Sequence, residues 1–78
     1  MAVMGVHAAL LIQNLDNDIR CGFGNRSETT NKWPGTVNLY RGGSFHRTVF
    51  ASEAVYGSPE EAITCMKELV ERIRAKNT

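Results

Sequence analysis

Thr36-Val37-Asn38-Leu39-Tyr40-Arg41-Gly42-Gly43-Ser44-Phe45-His46-Arg47-Thr48-Val49-Phe50, followed closely by Ser58-Pro59-Glu60-Glu61-Ala62-Ile63, is the stretch that decides the fold. Its first part holds two runs rich in β-branched and aromatic residues around a Gly-Gly pair, the pattern of two antiparallel strands joined by a tight turn. Period-two alternation puts Val37 and Leu39 on one face, and Phe45 and Val49 on one face of the partner strand. Ala54-Val55-Tyr56 reads as a further short strand ending at Gly57. At Ser58 the period changes. A serine N-cap, a proline at the first helical position and a glutamate three residues after the serine form a helix start. Ala62, Ile63, Met66, Leu69, Val70 and Ile73 then recur at three- and four-residue spacing beside Cys65, predicting a helix over about 59–75 with a broad apolar stripe. Glu68 and Arg72 stand four apart in the favourable order, and Arg72, Arg74 and Lys76 suit the negative end of the helix dipole.

Upstream, Ser27 to Gly35 is polar and closes on Trp33-Pro34-Gly35, a loop. Residues 3–24 admit two readings. Met4, Val6, Ala8, Leu10 and Ile12 alternate as a strand does, while Met4, Ala8, Leu11, Leu15 and Ile19 share one helical face. No N-cap precedes the run, and Asn14 to Asp18 resembles a turn, which favours a β-hairpin whose second strand is Ile19 to Phe23. Met1 to Ile12 lacks the basic start and small-residue cleavage site of a secretory signal and is read as part of the fold.

The composition sets limits on what the chain does. It has 78 residues, 42% hydrophobic and 22% charged, with seven glycines and two prolines, and so suits one small globular domain over residues 1–78 rather than a disordered or repetitive chain. No apolar run approaches the roughly 18 residues of a membrane-spanning helix. The net charge is +1. Residues 1–50 contribute +2 (Arg20, Arg26, Lys32, Arg41, Arg47 against Asp16, Asp18, Glu28) and residues 51–78 contribute −1, so no strong field draws the chain to nucleic acid or membrane. Two cysteines 44 residues apart, Cys21 and Cys65, fit reduced and largely buried thiols in a cytoplasmic protein.

Enzymatic motifs are missing from the sequence. His7 and His46 lie in no nucleophile–base pattern, and Cys21, Cys65, His7 and His46 each stand alone where structural zinc sites use close pairs. Asp16 and Asp18 belong to a turn, Glu60 and Glu61 to a helix start, and Gly22-Phe23-Gly24 to a strand end or bulge. No catalytic residue, metal or cofactor is therefore expected. The residues with binding character are Tyr40, Arg41, Phe45, His46 and Arg47 on the hairpin, with Lys32 and Trp33 shortly before it. Aromatic and Arg side chains with few acids serve both protein hot spots and nucleic-acid contacts. Asn38 and Tyr40 share a face, as do His46 and Thr48, whereas Arg47 alternates onto the other side.

The order of hairpin, short strand, Tyr56-Gly57-Ser58-Pro59-Glu60-Glu61-Ala62 and helix, spanning Pro34 to Ala75, resembles two groups of three-strand-plus-helix DNA-binding domains. These are the plant ethylene-responsive type and the N-terminal domains of phage integrases. The resemblance implies DNA contact through the sheet face, with Arg41 and Arg47 as the matching arginines. The expected fold is α+β in two layers, an antiparallel sheet of three to five strands with one C-terminal helix across a face. The expected function is surface contact with a protein partner, as in small phage and mobile-element accessory proteins. Nucleic-acid binding by the sheet face is the alternative, and a small-molecule pocket at a dimer seam the third reading. A broad helix stripe and an open sheet edge also predict a homodimer.

Overall fold

In the computed structural model, which describes residues 4–76, the chain runs α1 (Val6–Gln13), β1 (Asp18–Phe23), β2 (Gly35–Arg41), β3 (Ser44–Ala51) and α2 (Pro59–Ala75). The strands form an antiparallel sheet in the order β1-β2-β3, and α2 packs across one face of it, an α+β fold. Gly42 and Gly43 have φ of +60° and +81°, so the two-residue turn between β2 and β3 takes the left-handed conformation that matches strand twist. Along β2, Gly35, Val37 and Leu39 are buried toward α2, while Thr36, Asn38 and Tyr40 face away.

The helix start is as the sequence predicts. The Ser58 hydroxyl accepts from the Glu61 N–H at 3.1 Å, and the Glu61 carboxylate accepts from the Gly57 N–H at 2.8 Å. Ala62 and Met66 are the buried residues of α2, with Cys65, Leu69, Val70 and Ile73 partly buried beside them. Gly35 lets α2 approach closely, since a Cβ there would lie 2.6 Å from the Met66 Cγ.

Three expectations need correction. The first limb of the proposed N-terminal hairpin is the helix α1, and only its second strand, within β1, is a strand. Met4, Ala8 and Ile12 fit a period of two and a spacing of four equally well, and tertiary packing decides between them. Ile12 is fully buried among Val37 and Met66, whereas Val6 and Leu10, which a strand would have turned to the same side, are 77% and 59% exposed. An eight-residue helix is marginal alone, and the turn that follows it and α2 together supply what it lacks. The Leu11 carbonyl accepts from the Asn17 amide at 2.9 Å, and the Ile12 carbonyl from Arg74 Nε at 2.9 Å. Arg74 Nη2 also donates to the carbonyl of Asn17 at 3.0 Å, so this arginine serves the end of another helix as well as its own.

Ala54-Val55-Tyr56 forms no strand. Its one pairing is an antiparallel bridge from Tyr56 to Trp33, with N–H to O distances of 2.9 and 3.1 Å, and the third strand of the sheet precedes the hairpin instead. Finally, Phe45 and Val49 do not share a face. The two-residue turn sets Phe45 opposite Tyr40 on the outer face, and register shifts that leave His46 and Val49 as extra residues in β3 turn Val49 toward the core. No helix among the described residues is long and apolar enough to cross a membrane.

Candidate functional site

The face of the sheet turned away from α2 is the surface on which the sequence's binding residues partly converge. Near the hairpin turn, the Arg20 guanidinium lies 4.4 Å from the centroid of the Tyr40 ring, and the Phe45 ring meets Tyr40 edge-on at 5.9 Å and 84°. Pairing positions all three. Arg20 lies diagonal to Tyr40 across β1 and β2, and Phe45 is directly opposite Tyr40 because the two-residue turn at Gly42-Gly43 pairs Arg41 with Ser44 and Tyr40 with Phe45. Asp18 holds the other side of Arg20 at 3.4 Å, both side chains being about half exposed. Beside the stack, the Asn38 carbonyl oxygen accepts from the Thr48 hydroxyl at 2.8 Å, and its amide donates to the Thr36 hydroxyl at 3.3 Å. These bonds set the amide's orientation and leave it one further donor hydrogen and acceptor capacity.

The remaining candidates are dispersed. Arg41 is exposed at the end of β2, and His46 is the exposed bulge residue of β3. Arg47 pairs with Leu39 on the α2 side, where its Nη2 is 3.3 Å from His7 Nε2. Lys32 and Trp33 precede the start of β2, about 25 Å along the chain from Tyr40 at the rise of an extended strand. Trp33 is half buried by its bridge to Tyr56. Arg20 is the residue the sequence reading overlooked. Its signal was the alternation in Asp18-Ile19-Arg20-Cys21, which turns Ile19 and Cys21 inward and Arg20 out.

The opposite side of the molecule holds a groove of about 520 Å³ between α2 and the segment after β3, floored by Phe50, Met66 and Leu69 and edged by Val55, Tyr56 and Cys65. Burial pushes the Tyr56 phenol above its ordinary value, with the neighbouring Cys65 adding to the rise. The Cys21 thiol, on the β1 side of α2, is raised by burial against the opposing pull of Lys67 and Arg74. Both cysteines are free. Among the described residues no three His, Cys, Asp or Glu side chains gather as a metal site, and no buried side-chain polar atom is left without a partner. Comparison with protein-family models, curated proteins and solved structures finds no match.

Proposed function

We propose that this chain is a non-enzymatic binding module that contacts another protein through the outer face of its sheet. The observation that carries the reading is the Arg20–Tyr40–Phe45 stack, formed in the free chain and uncovered, with Phe45 57% exposed. Arginine and tyrosine are the residue types that dominate protein hot spots. Their mutual packing and the Asn38 hydrogen bonds restrict rotamers in advance, which lowers the ordering cost of association. The charge on this face is modest, Arg20 being balanced by Asp18, which suits a protein surface better than a phosphate backbone.

The experiment is capture from a lysate with the wild-type chain and with Tyr40→Ala/Phe45→Ala. A partner retained by the first and lost by the second supports the reading, and retention by both refutes it. A second reading, nucleic-acid contact by the same face, is favoured by Asn38 standing beside Arg20, since both residue types read base edges. Fluorescence anisotropy with single- and double-stranded oligonucleotides at about 50 and 200 mM salt separates the two. Salt-sensitive binding abolished by Arg20→Glu/Arg41→Glu would favour nucleic acid.

A further inference from the structure

We infer that a second copy of this chain pairs with the free edge of β1, joining two three-stranded sheets into one of six strands. The two edges of the sheet are unlike. β3 is interrupted by extra residues at His46 and Val49, which spoil it as a template, whereas β1 pairs with β2 without a shift from Asp18 to Phe23. Among the described residues no strand or bridge lies on the outer side of β1.

The backbone sets the possible registers. The Gly24 N–H donates to the Pro34 carbonyl at 3.0 Å, so antiparallel alternation directs the bonds of Gly22, Arg20 and Asp18 toward β2. The N–H and C=O groups of Ile19, Cys21 and Phe23 then point to the open edge. A two-fold axis can therefore pass at any residue from Ile19 to Phe23. An axis at Arg20 sets that guanidinium against its own copy, and an axis at Ile19, Gly22 or Phe23 leaves half of the strand or less overlapped. An axis at Cys21 pairs the strand from Ile19 to Phe23. Ile19 then faces Phe23 of the second copy on the α2 side, covering a phenyl ring that is 49% exposed in the single chain. Arg20 faces Gly22 of the second copy, where no side chain obstructs it.

Charge complementarity on α2 supports the same axis. Lys67, Val70 and Glu71 flank Ile19 and Cys21 along a groove of about 370 Å³ beside β1. A two-fold beside Cys21 reverses α2 across the seam, bringing Lys67 of each copy toward Glu71 of the other, with Val70 near its symmetry mate. One helix carries both signs four residues apart, as a self-complementary interface requires.

The test is the mass of the full chain by analytical ultracentrifugation across the micromolar range, with amide hydrogen exchange. The wild type is expected to be a dimer whose Ile19, Cys21 and Phe23 amides become protected as concentration rises. Lys67→Glu changes two symmetric contacts from attraction to repulsion and is expected to weaken the dimer about tenfold, while Lys67→Glu/Glu71→Lys restores it. Phe23→Lys, at a half-exposed position, is expected to leave a folded monomer by circular dichroism. A monomer throughout the range overturns the inference. So does a dimer indifferent to both Lys67→Glu and Phe23→Lys, or protection gained on β3 instead of β1.

Discussion

Arg74→Ala separates two accounts of the basic C-terminus of α2. On the sequence alone, Arg72, Arg74 and Lys76 are alike, each suited to the helix dipole. In the structure Arg74 donates to the carbonyls of Ile12 at 2.9 Å and Asn17 at 3.0 Å, with a weaker contact to Asn14 at 3.5 Å, while Arg72 is exposed. Hydrogen bonds to a charged group contribute about 1.5–3 kcal/mol each when well made. Two such bonds at the low end total about 3 kcal/mol, and water reaching the freed carbonyls returns part of it, so the expected loss is about 2 kcal/mol. For a domain of this size that lowers Tm by roughly 8–16 °C. Arg72→Ala is expected to stay within about 0.5 kcal/mol. Arg74→Lys keeps the charge near the end of α1 but not the fork of donors, and should recover less than half of the loss. Urea unfolding followed by circular dichroism measures all three. Equal losses for Arg72→Ala and Arg74→Ala, or a loss below about 0.5 kcal/mol for the latter, would refute the argument.

Three further outcomes are expected. Ser58→Ala removes the acceptor of the Glu61 N–H and should cost about 1 kcal/mol in the same urea assay. Gly35→Ala places a methyl 2.6 Å from the Met66 Cγ and should cost about 1–3 kcal/mol, and a double-mutant cycle with Met66→Ala should show the two costs to be strongly non-additive. Because burial raises the Cys21 thiol above 9.0 and the Tyr56 phenol above 10.0, the unfolded chain loses these protons first as pH rises. Stability should therefore be intact below about pH 9 and decline above it, and Cys21→Ala should flatten the first part of that decline in urea midpoints measured from pH 7 to 10.5.

How much of this was legible follows from how local each signal is. The limits of α2 were readable because Ser58, Pro59 and Glu61 act within one turn, and the hairpin because Gly42-Gly43 admits few other conformations. The identity of α1 was not, since Met4, Ala8 and Ile12 satisfy both periods and the deciding partners, Met66 and Arg74, lie more than 50 residues away. The bulges at His46 and Val49 carry no glycine or proline to mark them, yet they turn Arg47 and Val49 to the α2 side, away from the face that Phe45 shares with Tyr40. Of the expected site residues, Tyr40 and Phe45 meet directly, whereas Arg47 turns toward His7 on the side of α2. Arg20 became visible as their neighbour only once the pairing of β1 with β2 was known.

The outer sheet face is the proposed contact surface. The direct measurement is a ¹⁵N-labelled NMR titration of this chain with the partner that Tyr40→Ala/Phe45→Ala fails to capture. The expected result is that the largest shift changes fall on Arg20, Asn38, Tyr40, Phe45 and Thr48. Changes centred instead on Val55, Tyr56, Cys65 and Leu69, around the groove beside α2, would contradict it.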